Sequence, residues 1–161
     1  MPLSKVISGG QTGVDRGALD AALEAGFPCG GWCPPGRAAE DGAIPARYPL
    51  SEMPAGGYRE RTRRNVEESD GTLLLYFAAL AGGTEQTRRD CVESGKPCRL
   101  IDAAEIPPER AARLAAEFVA REEISMLNVA GPRASESPRA YAYAFETVTR
   151  LLSMGRPVAA G

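Results

Sequence analysis

The residues best suited to chemistry stand near the start of the chain, Ser8-Gly9-Gly10-Gln11-Thr12-Gly13-Val14-Asp15-Arg16. Gly9, Gly10 and Gly13 permit positive φ and close approach of backbone to a ligand. A helix signal follows at once, so its first N–H groups and the positive end of its dipole face the same loop. Such a loop suits a phosphate or another anion. Thr12 and Asp15 stand at capping-box spacing, which predicts Thr12 as the helix N-cap. No Gly-Lys-Ser/Thr follows as in a Walker A loop, and the glycines do not match GxGxxG. The bland alternative is a tight strand-to-helix turn, with Asp15 and Arg16 serving only as cap and surface ion pair.

Two further runs have the same character, Gly82-Gly83-Thr84 with Thr87, and Gly131-Pro132-Arg133 after Asn128. Thr84 is predicted as an N-cap. Gly83, Thr84 and Thr87 would face Gly10 to Gly13 across a cleft, and Arg16, Arg37 and Arg133 would pair with ligand charge, since guanidinium groups hold phosphate in a two-pronged grip. Asn128, at a strand end, could bond ligand or loop backbone. Histidine is absent, which removes serine–histidine and cysteine–histidine mechanisms and leaves Asp, Glu, Arg, Lys, Tyr or a metal for any catalysis. Cys29, Cys33, Cys91 and Cys98 form no CxxC pair, so no zinc site is expected, and Cys33 is read as a core thiol.

The elements that must position these residues alternate strand and helix. Strand signals cover Lys5 to Ser8, Phe27 to Cys33, Thr72 to Phe77, Cys98 to Asp102 and Ser125 to Ala130. Thr72 to Phe77 is a continuous apolar run, as in a parallel strand covered on both faces. Helices are predicted after each glycine turn, from Glu85 to Ser94 and from about Pro138 to Ser153, and another opens at Pro107-Pro108. Tyr58 to Ser69 reads as a helix with Val66 its only aliphatic residue, so it needs a ligand or a subunit as partner rather than an apolar core, and a homo-oligomer is expected. Arg61 and Asn65 share one face of it. Residues 34–57, rich in Pro and Gly, read as a lid or pocket loop carrying Arg37, Glu40 and Asp41. The pattern implies an α/β fold with a parallel sheet, whose three glycine turns share the carboxyl edge where ligands bind.

Length and charge narrow the classes. One domain over residues 1–161, with 156–161 a frayed tail, accommodates all elements. A net charge of −2 carries no nucleic-acid footprint. No membrane span or signal peptide is read, so a cytoplasmic protein is expected.

The motifs also resemble a known family. Ser8 to Arg16, Gly31-Trp32-Cys33-Pro34, Gly36-Arg37 with Glu40-Asp41-Gly42, and Tyr48-Pro49-Leu50 are similar to those of the molybdenum (molybdopterin) cofactor carrier family. So are Arg61-Thr62 with Asn65-Val66, Ser69 to Thr72, Gly83-Thr84 with Thr87, Lys96-Pro97, and Leu127 to Arg133. The family lies in the superfamily that holds YpsA-type proteins and Lonely Guy phosphoribohydrolases. The resemblance implies a three-layer Rossmann-like sandwich with a mainly parallel sheet of about five strands. It implies binding of molybdenum cofactor or another phosphorylated, nucleotide-like small molecule. The phosphoribohydrolases carry a Glu where this chain has Thr87, which argues against hydrolysis. The alternatives are a nucleoside-monophosphate glycosidase using Asp15, Glu40 or Asp41, and a nucleotide-sensing regulatory protein.

Overall fold

In the computed structural model of the protein, which describes residues 2–155, β1 (Lys5–Ile7) leads through the first glycine turn into α1 (Val14–Glu24). The chain continues through β2 (Cys29–Gly30), β3 (Trp32–Cys33), β4 (Ala38–Ala39), β5 (Gly42–Ala43) and β6 (Ser51–Glu52) to α2 (Tyr58–Glu68). It then alternates regularly: β7 (Gly71–Tyr76), α3 (Gly82–Ser94), β8 (Cys98–Asp102), α4 (Pro108–Arg121), β9 (Met126–Ala130) and α5 (Ala140–Met154). The tail read at 156–161 lies outside the described residues.

Five strands form one parallel sheet in the order β2-β1-β9-β7-β8. Alternate side chains divide its two faces. Val6, Leu73, Leu75, Leu127 and Val129 join one large core with the apolar faces of α1, α4 and α5. That core explains the helices: Ala18, Ala21 and Ala22 let α1 sit close to α5, and Ala111, Ala115, Phe118 and Val119 recur at helical spacing on α4. The opposite side of the sheet carries α2 and α3, which pack on each other. The result is a three-layer α/β/α sandwich.

Four sequence expectations are corrected. Phe27 to Cys33 is not one strand: Gly31, at φ 126°, packs so closely on Ser8 that a side chain would overlap its carbonyl, and the chain breaks there. β2 stays in the main sheet, whereas β3 pairs with β6. Residues 34–57, read as a loop, carry regular structure of their own: β4 and β5 make a short antiparallel hairpin. Ile44 and Tyr48 from this segment bury themselves with Leu19 and Cys33 in a second apolar cluster. Neither threonine is an N-cap: α1 is preceded by Gly13 and α3 by Ala81, with no side-chain cap at either end. Helix α3 also starts three residues earlier than its periodicity shows, since glycines carry no apolar signal.

The polar α2 finds partners within the chain. Asn65 Oδ1 accepts the Trp32 N–H at 2.8 Å and its Nδ2 donates to the Trp32 carbonyl at 3.0 Å, so one amide side chain acts as a neighbouring strand would. Arg64 lies over the Trp32 ring, 4.3 Å from its centroid, and the indole N–H donates to Glu68. Arg61, Asn65 and Val66 are the buried face.

Candidate functional site

β1, β9 and β7 are neighbours and parallel, so the turns that follow them meet at one edge of the sheet. Between those turns and α2 lies a cleft of about 360 Å³, within the range of roughly 300–1,000 Å³ for small-molecule sites. Gln11, Asp15, Gly83, Thr84, Thr87, Gly131 and Arg133 line it, seven of the positions singled out from sequence.

Arg61 forms its charged wall. Only 8% of the residue is exposed, and its guanidinium rests on Gly9, where a side chain would overlap it. Its Nη1 donates to Asp15 Oδ2 at 3.2 Å, and its buried Nε–H has no hydrogen-bond partner among the described residues. Asp15 Oδ2 also accepts the Gln11 N–H at 3.1 Å. Burial pushes the Asp15 carboxyl above its ordinary value of 3.8, against the pull of the Arg61 guanidinium and of the Gln11 and Gly9 amides. With its bond to Asp15 made, the guanidinium still carries a buried Nε–H without a partner, which is unused capacity to hold an anion.

The N-terminus of α3 faces that guanidinium. Gly82, Gly83 and Thr84 line the cleft, and first-turn amides have no partner within their own helix. Apart from its chain neighbours and its own helix backbone, no described atom lies within 4 Å of where a side chain at Gly83 would begin, so the backbone there is open to close approach. Thr84 is buried, while Thr87 Oγ1 is occupied by donation to the Gly83 carbonyl at 2.9 Å.

The N-terminus of α1 is used differently. The Val14 N–H donates to the Pro132 carbonyl, the Thr12 N–H to Gln11 Oε1, and the Gln11 N–H to Asp15. Gly10, at φ 82°, carries Leu50 and Ile44 against it, and Gly13, at φ 83°, packs on the backbone of Pro132 to Ala134. These glycines bring protein to the loop.

The remaining predicted residues lie outside the cleft lining. Arg37 donates to the carbonyls of Ile44, Pro45, Tyr48 and Leu50, gathering the loop that carries them. Arg16 grips Asp41 through two bonds of 2.6 and 2.8 Å and donates to the Gly10 carbonyl. Glu40 accepts from Thr12 Oγ1 and from the Ser135 hydroxyl and amide, tying the β4–β5 hairpin to two of the three turns. Those bonds hold its carboxyl below the ordinary 4.5. Asn128 is buried in the sheet centre with its Nδ2 donating to Thr72 Oγ1. Cys33 is buried in the second apolar cluster, and among the described residues no group of three or more acidic or cysteine side chains could hold a metal ion.

The model of the circularly permutated YpsA SLOG family matches residues 6–152. This chain belongs to that family. A crystal structure described as "Putative molybdenum carrier protein" from Syntrophus aciditrophicus SB is 43% identical to it, with a TM-score of 0.91 over 94% of this chain and 96% of that one. No curated protein matches. The permutation is visible in the sheet. Counting β9 as the first strand turns the order β2-β1-β9-β7-β8 into 3-2-1-4-5, the doubly wound Rossmann order. In this member of the family the edge that carries the cleft is therefore that of an ordinary Rossmann sheet, with its first strand supplied last.

The sequence marks Arg59 and Arg61 only as able to serve an anion, a subunit contact or ion pairs on a helix near a ligand or an interface, and it does not mark Gln86 or Glu136 at all; the structure brings all four to the cleft lining. A signal for Arg61 existed: it shares a face with Asn65 beside the only aliphatic residue of α2, and that face is the buried one.

Proposed function

We propose that this protein binds and carries a phosphorylated, nucleotide-like small molecule in the cleft between α2 and the N-terminus of α3. The observation that carries this reading is the buried Arg61 guanidinium, seated on Gly9 with an unpartnered Nε–H, opposite an uncapped helix start. A buried donor left unpaired costs about 1–3 kcal/mol, and a phosphate supplies acceptors to the guanidinium and to the helix amides together.

Molybdenum cofactor is the candidate cargo, a reading supported by the name of the 43% identical neighbour. The donor set fits its phosphate rather than its metal, because Arg61, Thr84 and the α3 amides suit an anion and no cysteine lines the cleft. We place the protein in the cytoplasm and expect a homo-oligomer; no helix among the described residues is long and apolar enough to cross a membrane. Of the carboxylates open to a glycosidase reading, Asp15 lines the cleft but is engaged by Arg61 and the Gln11 N–H, whereas Glu40 and Asp41 are bound in the hairpin contacts outside the lining. A carrier is therefore the better reading.

Calorimetric titration with ribose 5-phosphate tests it. Binding should weaken by about 1.5–3 kcal/mol in Thr84→Ala and in Arg61→Met, as for loss of a bond to a charged group. Undiminished binding in both folded variants would overturn the assignment. Native mass spectrometry of freshly purified protein should find a co-purified phosphorylated compound or molybdenum.

A further inference from the structure

A second, smaller recess of about 140 Å³ opens beside the cleft and shares two of its walls, Thr84 and Glu136. The two spaces are thus lobes of one site. The cationic lobe holds Arg61 and the start of α3. The smaller lobe has flat walls, Tyr76 and Phe77 from the end of β7 and Pro132 from the turn after β9.

Phe77 is held firmly. Its ring meets Tyr143 edge-on at 5.7 Å and 71°, and Arg139 lies 5.5 Å from its centroid. The chain then reverses at Ala78, at φ 69°, with the Ala79 N–H donating to the Phe77 carbonyl at 2.8 Å and Asp102 Oδ1 accepting the Ala78 N–H. A non-glycine residue there costs on the order of 1–3 kcal/mol and persists where the surroundings fix it, commonly at ligand sites.

Of the described residues lining the small lobe, only Glu136 is charged. Its side chain is 43% exposed and pairs through Oε1 with Arg133 Nε at 3.0 Å, which leaves Oε2 outside that pair. An ionised carboxylate only accepts hydrogen bonds. For a planar ring seated against Phe77 with its phosphate near Arg61, the chemical match to Glu136 is a ring edge that donates hydrogen bonds.

Resting on the phosphate-binding reading above, we infer that Glu136 selects ligands whose ring carries a 2-amino-4-oxo pyrimidine edge, in which a ring N–H and an exocyclic amine lie side by side, as in guanine nucleotides and in pterin phosphates. Two parallel N–H donors match the two oxygens of one carboxylate. Adenine offers an amine beside a ring acceptor, which faces the carboxylate lone pairs.

The test compares GMP, AMP, a pterin monophosphate and ribose 5-phosphate by calorimetric titration against the unmodified protein, Glu136→Gln and Glu136→Ala. GMP or the pterin monophosphate should bind about tenfold or more tighter than AMP, the size expected of a hydrogen bond to a charged group. That preference should fall to about twofold or less in both variants, whatever common shift the loss of this cleft carboxylate brings to all four phosphates, ribose 5-phosphate included. The GMP and pterin arms separate the two sources of the edge. Equal binding of all four compounds, or a preference that survives both substitutions, would overturn the selection by Glu136 and leave the phosphate site standing. Failure of every compound to bind would overturn both readings.

Discussion

The guanidinium of Arg61 fills the space that a side chain at Gly9 would need. The first glycine of the loop thus admits an arginine from a helix 52 positions later, and Asp15, six positions beyond Gly9, receives it. Loop, carboxylate and helix form one unit.

Gly9→Ala should therefore behave as a binding variant. The methyl group displaces Arg61, so affinity for ribose 5-phosphate should fall about tenfold or more, and overpacking should cost about 1–3 kcal/mol of stability in urea titration. Unchanged affinity would show that Arg61 does not meet the ligand.

Asn65→Ala removes both bonds to the Trp32 backbone while leaving every cleft residue in place. Each lost partner strands a backbone group, so a stability loss of about 1–3 kcal/mol is expected by chemical denaturation. Faster hydrogen exchange at β3 should accompany it.

The latch formed by Glu40 should weaken in acid. Its carboxyl sits below the ordinary 4.5 in the folded protein, held down first by the bond from Ser135 and then by that from Thr12. The folded state thus binds the proton less readily than the unfolded chain. Its contribution is complete above 4.5 and is lost as pH falls through the lower, folded value. The unmodified protein should melt above Glu40→Gln near neutral pH, and the difference should close as the pH drops below 4.5. A gap that persists in acid would exclude the charge of Glu40 as its cause.

No free base should be released from nucleoside monophosphates. Thr87 has no carboxylate, and its hydroxyl already bonds the Gly83 carbonyl. Chromatography of long incubations checks this, and steady release that disappears in Asp15→Asn would replace the carrier reading with an enzymatic one.

The fold was readable because its signals are local. Five apolar or β-branched runs became the five strands of the main sheet, and the glycine turns after three of them reached the same edge. Residue types at those turns also pointed to Gln11, Asp15, Gly83, Thr84, Thr87, Gly131 and Arg133 around the cleft. What stayed hidden depends on distant partners. Gly9, Gly10 and Gly13 signal that something comes close, but not that it is Arg61, Leu50 or the 132–134 backbone. Arg37 and Arg61 look alike as letters; one gathers four carbonyls and the other lines the cleft. Glu136 had no motif around it.

The central place of β9 has a consequence for biosynthesis. Before residues 126–130 leave the ribosome, β2-β1 and β7-β8 are separate ribbons, each with one bare inner edge where the last strand belongs. Bare edges invite pairing with other chains, and α5, which covers α1, also arrives late. The nascent protein must keep its two halves apart until the final strand inserts between them, so its chaperone dependence should peak late in translation.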